Sequence, residues 1–521
     1  MKCISVFFAA TLTCFVAVSQ PQEIWSSQFH ISNDSPKFIS SDQDDNIYVM
    51  GEVNETMLGT RIALVKYNAQ GEELWHHIYQ AEDPILSVTP RALAIDPFGN
   101  PITVSHIPIN QTDILVAKYS PEGTLLWDYV WNYDEANGHD NAHYATTDAE
   151  GNIFVCGASI NTSGQYSMLI LKFSAGGELL LDIRKEWSPT GTNRALYLAL
   201  DSEGNMLVTG RRHGQPSGFY VIYKQDSEGN TLWNDTYSET GGEGEQLVID
   251  SEDHIYASAR IGGLIALQAY NPDGDLLWRD IWQEEGMNQY IPRDMAMDED
   301  NHIIVLGDGI LPANASNRDW FLLKYNTDGE RLWHTYFNGS GNGIDNAMNL
   351  AIVDGNEMLA YGDSREAFGV QTIPFPTLAR FNVDGNELWR VHAPDLTSDI
   401  AGMTHLSNGT TIVSYGALFT GQGSNFITAA YGVSTDLSTQ EYDKSLPKTS
   451  LYPNPTRNTL TLECDDRIEF VAVYTLLGQQ IMHIRVDAHA DVLDFTSLNT
   501  GLYLVEVSTQ KRAQTFKIQK Y

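Results

Sequence analysis

Apolar and polar residues alternate along most of this chain in short runs, and turn residues interrupt the runs at regular intervals. RALAID (91–96), PITVSHI (101–107), ILVAKYS (114–120) and LLWDYVW (125–131) show the pattern, with PFGN and PEG as two of the breaks. A period of two is the signature of a strand with one face buried. Four such runs fill about 50 residues, and then the pattern restarts. Each cycle closes on one phrase: YNAQGEELW at Trp75, YSPEGTLLW at Trp127, YNPDGDLLW at Trp278, YNTDGERLW at Trp333 and FNVDGNELW at Trp389. Trp25 and Trp233 hold the same place, and Leu181 replaces Trp in FSAGGELLL. Successive spacings are 50, 52, 54, 52, 45, 55 and 56 residues. Four strands in a unit of this length predict a β-propeller blade.

The ends of the repeat predict how the ring closes. EIWSSQFH (23–30) is a fourth strand with no first three, and the last period, through GMTHLSNG, TTIVSYGAL and FITAAYGV, has three strands and no closing Trp. Pairing the N-terminal strand into the last blade completes both and removes two open sheet edges. The chain is then all-β with eight blades. Seven is the alternative, if STDLSTQEY (434–442) supplies its own fourth strand.

The turns account for the residues that recur. Strands one and two are joined by Asp-x-x-Gly-Asn, as in Asp96–Asn100, Asp148–Asn152 and Asp201–Asn205. Where Gly is missing, Asp45, Asp253 or Asn301 stands in its slot, so the slot calls for a left-handed backbone. DQDDN near Asp42 and NPDGD near Asp273 resemble calcium loops, but a strand begins at once where a distant carboxylate ligand is needed. The turn reading is preferred. One Trp per blade, buried against the next sheet, contributes up to about 4–6 kcal/mol. A sugar-stacking platform would not tolerate Leu181. Lys66, Lys118, Lys172, Lys224, Lys324 and Arg380 each stand five residues before the turn glycine. Such regularity predicts a repeated structural contact, with the turn carboxylates as partners.

Antiparallel pairing places the one–two and three–four turns on one face of the disc. The two–three loops and the blade connections fall on the other. The second set is long and individual, as in YDEANGHDNAH from Tyr133, QEEGMNQYIPR from Gln283 and SREAFGVQTIPFPT from Ser364. Loops on a rigid scaffold carry function, so ligand-binding candidates are taken there: Trp131, His139, Asp140, His143, Tyr290 and Arg293. HDNAH offers ligand atoms for a metal, although solvated loop histidines are the simpler reading and no metal site is assigned. No Gly-x-Ser-x-Gly, Walker, His-Glu-x-x-His or Cys-x-x-Cys pattern occurs, so neither a catalytic residue nor a cofactor is nominated.

The net charge of −36 argues against nucleic acid and anionic lipid as partners. MKCISVFFAATLTCFVAVS (1–19) reads as a secretory signal peptide, too short in its apolar run for a membrane span. Residues 20–442 then form the propeller. Cys156 and Cys464 remain after cleavage, in different domains, which predicts two buried thiols and no disulfide framework.

After Tyr442 the phrase stops and the charge balances. KSLPKTS falls in a linker (443–450), and TLTLEC, IEFVAVYTL, QQIMHIRV, GLYLVEVST and AQTFKIQK predict a small β-sandwich over 451–521. Its motifs are Pro453-Asn454-Pro455, Leu477-Gly478, Gly501-Leu502-Tyr503, Lys517 and Lys520. In these it resembles the type A C-terminal sorting domain of the type IX secretion system of Bacteroidetes. The resemblance implies Sec export, passage across the outer membrane with the secretion machinery as partner, and release or surface attachment of the cargo. The propeller resembles secreted bacterial propeller-repeat proteins, a likeness of fold. The expected function is a secreted or cell-surface propeller that binds a glycan or a protein. A polysaccharide hydrolase or lyase is the alternative, and an adhesin-like spacer the plainest reading.

Overall fold

The structure is a computed structural model. It describes residues 21–432 and 449–521 except positions 55–58, 82, 84, 110, 134, 137, 188–190, 214–217, 238–240, 284–287, 311–316, 369–370, 394–396, 420–422, 454–455, 476–479, 497, 500 and 510–512. The expected signal peptide, STDLSTQEY, most of the linker, and Asn454, Pro455 and Gly478 lie outside the described residues. The chain divides into two compact units, Met1–Val433 and Ser434–Tyr521.

Period-two alternation becomes eight four-stranded antiparallel sheets in the first unit. Blades 1 to 7 span 33–79, 89–131, 140–185, 194–237, 242–282, 288–337 and 346–392. Blade 8 takes three strands from 397–432 and its fourth from the N-terminus, Gln22–Phe29. That strand lies antiparallel to Gly423–Gly432, with Phe29 opposite Phe426 and Trp25 opposite Ala430. The count is eight, and the seven-bladed alternative is excluded because the N-terminal strand occupies the place STDLSTQEY would have needed. Every blade–blade interface holds its own apolar cluster, from Tyr48, Met50 and Leu115 between blades 1 and 2 to Phe29, Ile47 and Phe426 between blades 8 and 1. Cys156 and Cys464 are both buried, in separate units.

The repeated Trp is a clasp on the next blade. Trp75 donates its indole N–H to Pro121 O at 2.9 Å, Trp127 to Ala175 O at 3.2 Å, Trp233 to Pro272 O at 3.1 Å and Trp333 to Val383 O at 2.9 Å. The indole then lies flat on the turn glycine two residues later. A Cβ at Gly123, where φ is +86°, would stand 2.6 Å from the Trp75 ring, so glycine is required twice over, by backbone and by space. Where Leu181 replaces Trp, Ile183 covers Gly229 instead. The leucines beside these tryptophans do not share their core: Leu74, Leu126, Leu232 and Leu332 are exposed, because neighbours on a strand point to opposite faces.

The recurring lysine completes the clasp. Lys118, Lys224 and Lys324 each lie 2.8 Å from the turn aspartate of their own blade, Asp96, Asp201 and Asp298. Lys66 and Lys118 also donate to Pro121 O and Ala175 O, the carbonyls already taken by Trp75 and Trp127. Pro121 O and Ala175 O thus each receive two donors, as does Pro272 O from Lys224 and Trp233. Arg380 meets Glu357 in the same way, at 2.5 Å. The left-handed slot is occupied as the turn chemistry requires, with φ near +77° at Gly99 and +61° at Asp45, Asp253 and Asn301.

The second unit is one five-stranded antiparallel sheet. Its long strands, Thr459–Thr475 and Gln480–Asp494, let the sheet curl over a single core that includes Leu460, Val471, Leu493, Phe495 and Val505. The sandwich is therefore a sheet folded on itself.

Candidate functional site

The first strand of each blade touches the first strands of both neighbours, all the way round the ring. These strands therefore line the axis. Each also carries a β-bulge at an equivalent position, which leaves a residue there without a cross-strand partner: Lys37, Arg91, His143 and Leu196 in blades 1 to 4. Glu245, Arg293, Met348 and Ala401 follow in blades 5 to 8. A bulge re-aims side chains, and bulges gather next to functional sites. First strands start on the face with the long loops, and the bulge comes within a few residues of that start. The bulge ring thus marks the axial mouth on the variable face.

The mouth is densely charged. Arg293 Nε lies 2.5 Å from the buried Asp308 carboxylate, whose other oxygen meets Arg318 at 3.6 Å. Arg260 meets Glu243 at 2.9 Å, and Lys37 meets Asp399 at 3.3 Å. Burial, with Glu243 as a like charge, pushes Glu245 up to about 7. Burial raises Glu52 and Asp363 above the ordinary carboxylate range. A cavity of about 560 Å³ opens across blades 6 to 8, lined by Arg293, Asn346, Met348, Asp363, Arg365 and Asp399 among others. Asn346 donates to Asp363 Oδ1 at 2.9 Å, which fixes the wall.

Of the candidates taken from the sequence, Arg293 and His143 belong to the bulge ring, and Arg293 lines the cavity. Trp131 and Tyr290 are core residues. Trp131 is 3 % exposed in the cluster between blades 2 and 3, and Tyr290 packs against Trp282 and Phe321. Both rings are buried in the core. HDNAH does not converge. His139 is exposed and bonds Thr112 Oγ1, His143 donates to Ala195 O, and Asp140 is buried and accepts from Tyr133 N–H. Among the described residues, the cluster with metal-ligand spacing is Asp298, Asp300 and His302. Its Asp298 carboxylate already holds Lys324 at 2.8 Å, the structural role predicted for such turns. Arg365, Asp363, Asn346 and Asp399 were not singled out from the sequence. The cavity they form joins three blades, and nothing local marks it.

Two blade junctions bury pairs of aspartates at equivalent places, Asp113 with Asp140 and Asp319 with Asp345. Burial first, and then the charge of Asp345, push Asp319 up to about 7. Burial pushes Asp345 up to about 6 against hydrogen bonds from the Gly339 and Arg365 N–H groups. A carboxyl with a raised folded pKa holds a proton that the unfolded chain has lost. Its stabilising effect is complete below pH 4 and fades as pH rises toward 7. Asp319→Asn is therefore expected to raise stability at pH 8 by about 1–2 kcal/mol and to change little at pH 4.5. Melting temperatures at the two pH values check this, and an equal shift at both would refute it.

In the C-terminal unit the two ends of the expected sorting motif meet. Thr456 N–H donates to Gln519 O at 2.8 Å and Tyr521 N–H to Thr456 O at 3.0 Å. The buried Lys520 ammonium reaches Arg457 O. Tyr503 is buried and donates to Asn499 O at 2.8 Å.

Residues 450–520 match the family described as "Secretion system C-terminal sorting domain". This places the chain among proteins sorted for secretion or surface attachment by the type IX system. No curated protein matches the chain. Among solved structures, it is similar to a protein of unknown function from Bacteroides caccae, at 14 % identity over 47 % of this chain and 81 % of that one (TM-score 0.30). It is similar to PorZ, an essential surface component of the type IX secretion system of Porphyromonas gingivalis, at 9 % identity over 95 % and 100 % (TM-score 0.28). It is also similar to a polysaccharide lyase of family PL25, an ulvan lyase bound to -[GlcA(1-4)Rha3S]-, at 9 % identity over 64 % and 90 % (TM-score 0.41). Likeness at this level bears on neither activity nor ligand.

Proposed function

We propose that this type IX-sorted propeller is a binding protein that takes a glycan at the axial mouth of its variable face. The observation that carries the reading is the cavity of about 560 Å³ across blades 6 to 8. Ligand sites are concave, with a few convergent polar groups on rigid elements. Here Arg293, Arg365, Asn346, Asp363 and Asp399 converge from strands of three blades, and paired guanidinium and carboxylate groups suit the hydroxyls of a sugar. Arg365→Ala, Asp399→Ala and the unaltered chain are compared on a glycan array. The expected result is binding by the unaltered chain and at least a tenfold loss in Arg365→Ala with an unchanged melting temperature. Binding that survives both substitutions would move the site elsewhere.

Glycan hydrolysis is the second reading, and one observation favours it. Asp363 and Asp399 share the cavity wall, and burial holds Asp363 above the ordinary range, as a general acid needs. Release of reducing ends that disappears in Asp363→Asn would make the protein an enzyme. Bound glycan that stays intact would leave it a binding protein.

A further inference from the structure

At six blade junctions among the described residues, an N–H at the start of one blade meets a carbonyl at the start of the preceding blade's third strand. The bond sets two side chains next to each other, that of the donor residue and that of the residue after the acceptor. Their Cα atoms stand about 5–6 Å apart, as in neighbouring strands. At four junctions these residues are Arg61 and Val88, Ser167 and Asn193, Phe219 and Gly242, and Leu264 and Tyr290. At the other two they are pairs of aspartates. Asp140 N–H donates to Thr112 O at 2.7 Å, beside Asp113, and Asp345 N–H donates to Arg318 O at 2.8 Å, beside Asp319. The junction itself therefore has no need of acidic residues.

The pair between blades 6 and 7 is incomplete. Asp345 is 0 % exposed, and each of its oxygens accepts one backbone N–H, Oδ2 from Gly339 at 2.7 Å and Oδ1 from Arg365 at 2.6 Å. These bonds favour its ionised form, and each oxygen keeps a second lone pair. Asp319 is 1 % exposed, and neither of its oxygens meets a hydrogen-bond partner. Buried polar groups are otherwise matched almost without exception. A proton satisfies only one of the two oxygens, so the other is orphaned in either protonation state. Acceptor atoms of two carboxylates, turned on one another without a donor between them, are the surroundings of a hard cation.

We infer that the junction of blades 6 and 7 holds a calcium ion between the carboxylates of Asp319 and Asp345. Two positive charges match two carboxylates. Calcium accepts irregular shells of about six to eight oxygens, completed by backbone carbonyls and water, whereas magnesium demands a near-ideal octahedron and gives up its water reluctantly. A chain sorted for secretion or surface attachment works where calcium sites with Kd of about 0.1–1 mM are filled. The turn cluster of Asp298, Asp300 and His302 differs, because Lys324 already neutralises Asp298. The ion is independent of the glycan reading, but it touches the same wall: the Asp345 carboxylate fixes the backbone of Arg365, a cavity residue. Without calcium the pair favours acid, and with calcium it favours neutral pH.

The test is calorimetry on the full chain, stripped with a chelator and titrated with calcium chloride at pH 7.5. The unaltered chain should bind one calcium ion more than Asp319→Asn or Asp345→Asn, and magnesium chloride should not fill that site. Asp300→Asn, in the turn cluster, should leave the number unchanged. Asp319→Asn keeps the side-chain shape and removes a like charge, so it should fold, which its melting curve reports. Affinity at the site should also fall at least tenfold from pH 7.5 to 5.5, because Asp319, at about 7, and Asp345, at about 6, take up protons in that range. Asp363 and Glu366 are the further like charges acting on Asp345. Exposed carboxylates titrate near pH 4 and lose far less calcium there. Equal numbers of calcium ions in the parent and Asp319→Asn overturn the inference. So does binding that is the same at both pH values, and so does no binding at all, in which case the pair holds only a proton.

Discussion

Phe29→Asp is expected to open the ring. Phe29 is 4 % exposed, lies opposite Phe426 in the closing pair, and its ring centre is 5.4 Å from that of Phe426. It belongs to the cluster that joins blades 8 and 1. Losing a buried aromatic costs about 3–5 kcal/mol, and an unpaired buried carboxylate adds more. The loss should exceed about 5 kcal/mol. Marginal folded stability is of that order. Because the N-terminal strand carries the chain from blade 8 directly into blade 1, the consequence is loss of one cooperative transition, with blade 8 melting first. Gln28→Asp puts the same charge on the exposed side of the same strand and should be near neutral. Denaturant unfolding followed by tryptophan fluorescence separates the two. A Phe29→Asp protein that melts with the parent would show that other contacts close the ring.

Lys118→Ala is the second large effect. The ammonium is 3 % exposed and 2.8 Å from a fully buried Asp96 carboxylate, and it also donates to Ala175 O of blade 3. Removing one partner of a buried pair costs about 3–5 kcal/mol, because the other charge is left uncompensated. The double variant Lys118→Met with Asp96→Asn, which buries no charge and keeps the volume, should recover most of that loss. The pair also sets behaviour in acid. Burial alone would raise Asp96, but Lys118 and the Asn100 side chain and N–H bring it below the ordinary range. Asp201 and Asp298 are lowered in the same way by Lys224 and Lys324. A lowered carboxylate stabilises above its unfolded pKa near 4, and that contribution is lost as pH falls further. Together with the raised carboxyls of Asp319 and Asp345, whose contribution fades above pH 4, this puts maximum stability near pH 4–5. A melting profile that peaks at pH 8 would contradict both assignments.

The propeller was legible because its signals are local and repeated. Trp75, Gly123 and Lys66 are each fixed by the strand or turn they sit in, and the other copies of the phrase repeat the message. The predicted contact of the lysines with turn carboxylates follows from the same periodicity. What the repeat hid was direction. Trp131 and Tyr290 lie next to long loops in sequence, and only the strand register turns them inward, into the core. The bulge that re-aims Arg91, His143 and Arg293 adds one residue without a pairing partner, and no residue type announces it.

The sequence by itself determined the fold class, the blade length, the closing strand and the sorting domain, since each depends on neighbours in the chain or on a short motif. The tertiary structure decided between eight blades and seven, and it alone decided the composition of the axial mouth. Arg293 comes from blade 6, Asp363 and Arg365 from blade 7, and Asp399 from blade 8. A ring brings such residues around one axis whatever their separation along the chain, so their proximity is set by closure and not by spacing.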